Sequence, residues 1–264
     1  MKVRILCSLT AVALVAVPLA PPIASASRPA VEARYVEPRI GGIYGRGVHG
    51  PGSYAVLIDV HHLRDKGNKG GKRGKPVAAA NCSNAGTESG TYVFTGWKVG
   101  GSRTAHLTTA TVPAYLGSVT SALKASWNAW RSADPAVPAV NVATDGTVTR
   151  YTANRSYDLL WGRTRGSLAT TYTWRWNDGF IESDTVFDRG VTWWQAPSEG
   201  DGCYESAGDR YDVANIATHE FGHSYGLGHP AGARFETMFA YGYSGETLKR
   251  SPALGDRRGA AALY

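Results

Sequence analysis

The stretch at residues 218–230 constrains this chain more than any other, because it carries three of the seven histidines. His219 and His223 are four residues apart, a spacing that places both side chains on one face of an α-helix. Two imidazoles so arranged can bind one metal ion, and Glu220 between them can reach a water molecule on that metal. The sequence therefore predicts a metal-binding helix here.

Gly226 and His229 complete the pattern. Glycine adopts backbone conformations that other residues avoid, so Gly226 allows a sharp turn that returns His229 as a third ligand. Three protein ligands leave a fourth position open for water, as in catalytic rather than structural zinc sites. A helix whose histidines are merely solvated accounts for neither Gly226 nor His229. We predict one catalytic Zn²⁺ ion bound by His219, His223 and His229, with Glu220 as the catalytic residue.

The N-terminal residues 1–26 have the composition of a secretory signal. Lys2 and Arg4 precede a mostly apolar run at residues 5–17, and residues 24–26 form a small-residue cleavage site. A membrane anchor is the alternative, but the run is short for a bilayer span and prolines follow it. We expect a secreted, extracellular protein that keeps no membrane segment after cleavage.

The cysteines agree with an oxidising compartment. Removal of the signal takes away Cys7 and leaves Cys82 and Cys203. An even pair in an exported protein predicts a disulfide, with two free thiols as the alternative. A bridge would close a loop of about 120 residues, which the chain-entropy model values at about 4–5 kcal/mol.

Residues 27–80 are predicted to be an N-terminal extension or propeptide, and residues 81–264 a zinc metalloprotease catalytic domain. The net charge of +7 is uneven, since residues 62–75 hold six Lys or Arg residues interleaved with glycines. Such a stretch cannot bury apolar surface and is expected to be a linker. It lacks the aromatic residues of a base-stacking surface, so we expect no nucleic acid partner.

The apolar periodicity predicts an α+β fold. Expected strands cover residues 54–60, 92–99, 106–112, 140–151, 157–161, 168–176 and 180–187. Expected helices cover residues 117–133, 213–225 and 256–263. The first helix carries one apolar stripe, formed by Val119, Leu123, Trp127 and Trp130. Asp212 is placed to cap the second helix, because its carboxylate can accept from the first free N–H groups.

The long metal motif, followed nine residues after His229 by Met238, resembles that of the metzincin metalloproteases. Within that clan the chain is most similar to the bacterial matrixins, at residues 181–188, 211–223 and 256–264. The resemblance covers about residues 81–264. It implies a metzincin-like catalytic domain with a twisted mixed β-sheet, an active-site helix, a methionine turn that places Met238 beneath the ligands, and a C-terminal helix.

Several matrixin features are missing. The propeptide's cysteine switch is absent, and Cys82 as a blocking thiolate is only a minor alternative to the disulfide. No histidine lies between His106 and His219, so the second, structural zinc of animal matrixins is expected to be missing. Gly255 replaces the first of two paired aspartates in the last helix and leaves Asp256. The activation route therefore stays open.

The residues and the resemblance together predict a secreted zinc-dependent endopeptidase. Zinc lowers the pKa of its bound water to about 7, and Glu220 takes the proton as general base and passes it to the leaving amine. The resemblance places an extended protein or peptide substrate beside an edge strand at residues 167–171, with Phe239 and Tyr241 near its specificity pocket. We expect a monomer.

Two other functions remain open. A secreted binding or structural module could use zinc only to hold its fold, although such a site is usually closed by a fourth protein ligand and has no use for Glu220. A zinc hydrolase could instead act on a non-peptide amide. Ca²⁺ is possible but unsupported, since ordinary surface carboxylates are the favoured interpretation of Asp178, Asp184, Asp188 and Asp201.

Overall fold

The computed structural model describes residues 55–64, 89–164, 166–200, 203–205 and 208–264, the first range by its backbone alone. The signal at residues 1–26, Cys82, Asp201 and the start of the catalytic domain at residue 81 lie outside these ranges and stay predictions. No helix in the described ranges is long and apolar enough to cross a membrane.

A mixed sheet of seven strands forms the framework of the fold. The strands in chain order are β1 (Ala55–Arg64), β2 (Val93–Phe94), β3 (Arg103–Leu107), β4 (Val140–Ala143), β5 (Tyr157–Gly162), β6 (Ser167–Trp176), β7 (Ile181–Asp188), β8 (Trp193–Trp194), β9 (Tyr211–Asp212), β10 (Leu227–Gly228) and β11 (Tyr241–Gly242). The large sheet has the order β11-β1-β6-β7-β5-β3-β4, and β10–β2 and β8–β9 form two small sheets. Strand β6 is antiparallel to both its neighbours, and the other pairs in the large sheet are parallel.

The described residues form three α-helices: α1 (Thr120–Ala133), α2 (Val213–Tyr225) and α3 (Leu254–Leu263). Helices α1 and α2 pack against the large sheet, and α3 packs against α1 and β10. The predicted apolar stripe of α1 is buried, and Trp127 stacks on Phe221 of α2 with ring centroids 3.8 Å apart. Such aromatic pairs add about 0.5–1.5 kcal/mol beyond the area that they bury. The predicted α+β fold, mixed sheet and C-terminal helix are confirmed.

Some predicted strands are shorter or shifted, because local turns interrupt the apolar pattern. The strand expected at residues 92–99 shrinks to β2, since Gly96 follows it with a φ of 94°, in the left-handed region that favours glycine. The strand expected at residues 106–112 lies at Arg103–Leu107, because the next residues form a 3-10 turn at Thr109–Thr111.

Strand β1 has an unexpected neighbour. It pairs with β6 over nine positions, from Ala55 opposite Trp176 to Leu63 opposite Ser167. The sequence interpretation made residues 167–171 an edge strand, and this is wrong for the structure, since β6 lies between β1 and β7. The reason is long-range pairing, which the local pattern of either strand does not specify.

Candidate metal centre

Helix α2 has the predicted limits. Asp212 caps its start by accepting from the backbone N–H of Asn215 at 2.8 Å, and an ion pair with Arg250 at 2.7 Å holds the Asp212 carboxylate. Gly226 ends the helix with a φ of 108°. A β-carbon at Gly226 would overlap the carbonyl oxygen of Trp97, so this turn also needs glycine for space. The chain then enters β10, which leads to His229.

Three imidazoles meet beyond this turn. The Nε2 atoms of His219, His223 and His229 form a triangle, with each pair 3.0 Å apart. His219 and His223 are fully buried, and His229 is half-buried. The structure thus brings together the three residues that the sequence predicts as metal ligands.

Backbone carbonyls fix the ring orientation of the two helical histidines. His219 Nδ1 lies 2.6 Å from the carbonyl oxygen of Thr237, and His223 Nδ1 lies 2.7 Å from that of Leu227. A carbonyl oxygen can only accept, so both Nδ1 atoms must carry the hydrogen. In the neutral rings each Nε2 then presents a lone pair, the form in which imidazole binds a metal.

This donor set fits zinc. Lone pairs facing each other across 3.0 Å repel unless a cation lies between them. Nitrogens on one tetrahedral Zn²⁺, each about 2.0–2.1 Å from the ion, lie about 3.3 Å apart, close to the observed triangle. His219, His223 and His229 would hold the ion, and a zinc site with three protein ligands keeps a position for water or substrate.

Glu220 follows His219 directly in α2 and is fully buried. The hydroxyl of Thr171, on β6, donates to Glu220 Oε2 at 2.6 Å. This bond restrains the carboxylate against the sheet. No local pattern points to this partner, because Thr171 is one of several threonines in β6 and the contact spans the interface between sheet and helix.

Met238 packs against helix α2 at Gly222. It is 2 % exposed, and a β-carbon at Gly222 would overlap both its sulfur and the ring of Trp130. Gly222 is therefore needed between Glu220 and His223, because any side chain there would push α2 away from the segment that carries Met238.

We expect Gly222→Ala to lower the free energy of unfolding by about 1–2 kcal/mol. Alanine gains about 1 kcal/mol of helix propensity over glycine. Overpacking costs about 1–3 kcal/mol, and overlap with both Met238 and Trp130 places the cost at the upper end, about 2–3 kcal/mol. Urea unfolding of the metal-free protein would measure the difference. Gly100→Ala is the matched control, since no atom lies within 4 Å of its β-carbon position. A variant at Gly222 as stable as the control would contradict the packing argument.

Two buried charged side chains hold the segment that contains Met238. Asp256 accepts from the backbone N–H groups of Thr237 and Met238, at 2.6 and 3.1 Å. Burial, with Glu236 close by, raises the pKa of Asp256 to about 6. Lys249 is the second of these side chains, and its Nζ donates to the carbonyl oxygen of Thr237 at 3.2 Å. The sequence analysis did not identify Lys249, since a lysine in a polar stretch is ordinarily expected at the surface.

The aspartates considered for Ca²⁺ do not form a common site in the described residues, where the three histidines are the one group close enough to share an ion. Asp178 pairs with Arg155 at 2.5 Å. The sequence analysis predicts a surface carboxylate at Asp184, and this is wrong. It is fully buried and accepts hydrogen bonds from the backbone N–H groups of Thr152 and Asp158. Burial raises the pKa of Asp184 well above its usual range.

The remaining predicted site residues are partly described. The rings of Phe239 and Tyr241 lie 5.5 Å apart and Tyr241 is 41 % exposed, so their place in a specificity pocket stays a prediction. Cys203 is buried. Its predicted partner, Cys82, lies outside the described residues, so the disulfide stays a prediction.

Comparison with protein families adds one finding. Residues 196–251 match the family model described as peptidase M66, a family of zinc metallopeptidases. The match includes α2, the three histidines, Glu220 and Met238, and covers about a fifth of the chain. No curated protein matches the chain. The match supports a metallopeptidase function and does not address the finer resemblance to matrixins.

Proposed function

We propose that this chain is a secreted zinc endopeptidase with a metzincin-type, matrixin-like active site. The observation that carries the proposal is the triangle of three Nε2 atoms, with two of the rings oriented by backbone carbonyls, on a helix that also carries the buried Glu220 directly after His219. A zinc ion that only stabilises the fold would need the three histidines, but it would have no use for Glu220, the buried carboxylate that follows His219 in α2.

The three histidines would hold the zinc, which when bound would supply a Lewis acid and acidify a water molecule. Glu220 then accepts the proton of the attacking water and donates it to the leaving nitrogen of the peptide. Thr171 keeps the carboxylate in place through its hydrogen bond to Oε2. The apolar contact of Met238 with α2 keeps the histidine face rigid, because the helix cannot shift without repacking that contact.

The localisation and partners follow from the sequence. We expect removal of residues 1–26, export, and action on protein or peptide substrates as a monomer. The Cys82–Cys203 bridge would form on export. The segment matched by peptidase M66 supports the protease assignment, and the signal pattern supports the extracellular one.

Removal of the metal tests this function. After treatment with phenanthroline, the purified full chain is expected to lose casein cleavage, and added Zn²⁺ but not Ca²⁺ should restore it. The zinc-loaded protein should also be more stable, by about 4 kcal/mol at a thousandfold excess of zinc over its Kd. Casein cleavage that persists in the metal-free protein would contradict the proposal.

Two histidine variants provide the control. His219→Ala is expected to lose both zinc binding and cleavage. His106→Ala should keep both, since His106 pairs with Asp145 at 2.7 Å and is not part of the triangle. If His219→Ala removes the zinc-dependent stability while no form of the protein cleaves casein or a peptide library, the structural-zinc alternative would be correct.

A further inference from the structure

Strand β1 lies between β6, which carries Thr171, and β11, which follows the segment that contains Thr237 and Met238. On one side it is antiparallel to β6, and on the other it is parallel to β11, with Leu63 opposite Tyr241 and Arg64 opposite Gly242. Strand β11 begins three residues after Met238. The backbone of β1 therefore fills the space between these two strands.

The register brings β1 next to the catalytic carboxylate. Val60 is the partner of Thr171, and Thr171 is the residue that donates to Glu220. Strand β1 also approaches helix α2, which carries two of the three histidines. A chain in the position of β1 thus passes alongside the site where the proposed function requires a peptide to lie.

Without β1, strands β6 and β11 would face each other across an open slot. Neighbouring strands lie about 4.8 Å apart, so the slot would be about 9.6 Å wide, which is the space for one extended chain. A peptide in it could form backbone hydrogen bonds on both sides, a common mode of peptide recognition that makes few demands on sequence. Its direction would be that of β1, antiparallel to β6 and parallel to β11.

We propose that β1 occupies the binding slot of the peptide substrate and acts as a built-in competitor that must leave before substrate can bind. This inference rests on the proposed peptidase function and adds a form of latency that needs no cysteine. A tethered strand competes at an effective concentration on the order of millimolar. Substrates at micromolar concentration would therefore displace it poorly.

A disulfide that holds β1 against β6, and that can be reduced again, tests the proposal in the full chain. Ile58 is the partner of Thr173, so the double variant Ile58→Cys/Thr173→Cys can form a disulfide between β1 and β6. The oxidised variant is expected to cleave casein at least about tenfold more slowly than its reduced form, since the tethered competitor can no longer leave. Wild type and the two single variants, taken through the same oxidation and reduction, control for effects on other cysteines.

Substitutions that weaken the pairing of β1 with β6 should instead speed casein cleavage. Proline cannot donate a backbone hydrogen bond and is excluded from central strands. Successive N–H groups alternate sides along a strand, so one of the two prolines in Leu57→Pro/Ile58→Pro must remove a donor that faces β6. This variant is expected to cleave casein at least about tenfold faster than Leu57→Ala/Ile58→Ala, which keeps both donors.

Binding without cleavage gives a second readout. In the Glu220→Gln variant, excess casein should speed amide hydrogen exchange in residues 55–64 by about tenfold, because bound peptide excludes β1. A locked variant as active as its reduced form, or exchange in β1 unchanged by bound casein, would overturn the inference and leave the peptidase assignment intact. If no variant cleaves or binds casein, the inference and the proposed function fall together.

Discussion

Glu220→Gln is expected to lower kcat for peptide cleavage by about 10²–10⁴-fold while the protein keeps its zinc. Glutamine has nearly the shape of glutamate and can still accept from Thr171 through its amide oxygen. It cannot take a proton from water, so the loss should appear in kcat rather than in KM. Casein or peptide hydrolysis, measured together with the zinc content, would check both parts.

The matched control is Glu205→Gln, the same change at a carboxylate that accepts from Ser198 and is not part of the histidine group. It should cleave casein at the wild-type rate. If Glu220→Gln kept its activity with zinc bound, Glu220 would not be the general base. If Glu220→Gln lost its zinc, the carboxylate would have a structural role that the hydrogen bond to Thr171 does not explain.

The active-site helix could be predicted from the sequence because its signals are local. Asp212 caps the helix by accepting a hydrogen bond from the backbone N–H of Asn215, only three residues away. Gly226 ends the helix in the left-handed conformation. The histidine spacing is a property of the helix itself. For these reasons the observed helix, Val213–Tyr225, agrees with the predicted one, which ran from Val213 to about Tyr225.

The surroundings of that helix could not be predicted, because they depend on contacts between distant parts of the chain. Thr171 reaches Glu220 across 49 positions, and β1 joins β6 across more than one hundred. Two buried carboxylates on β7, Glu182 and Asp184, also fall in this class. Because they are two residues apart on a strand, the pattern predicts that both lie on one solvent-exposed polar face. Instead both are fully buried and accept hydrogen bonds from backbone N–H groups in residues 152–158.

Lys249 is the least expected of these long-range contacts, and its replacement should have the second large effect. Its ammonium group is fully buried and donates to the carbonyls of Thr237 and Phe239, at 3.2 and 3.0 Å. The Thr237 carbonyl also accepts from His219 Nδ1 at 2.6 Å. Burial lowers the pKa of Lys249, and the nearby carboxylates of Glu246, Asp256 and Glu236 oppose that shift.

We expect Lys249→Met to have two separable effects. It removes the stronger of the two cationic interactions that favour the charged form of the buried Glu246, the other coming from Arg234, so the free energy of unfolding should fall by about 3–5 kcal/mol. It also releases the carbonyl that orients His219, and loss of such a supporting contact lowers metal affinity by about 10–100-fold. Urea unfolding would measure the first effect, and zinc titration against a competing chelator the second. Lys124→Met, on the exposed face of α1, is the control.

A second variant separates the role of the charge from that of the carbonyl contact. In Lys249→Met/Glu246→Gln neither charge remains, so most of the lost stability should return, because a neutral pair avoids the cost of burying one unpaired charge. The zinc affinity should stay low, since nothing replaces the ammonium at the Thr237 carbonyl. If stability and zinc affinity recovered together, Lys249 would support only the fold, and His219 would be oriented by the helix and the Met238 packing alone.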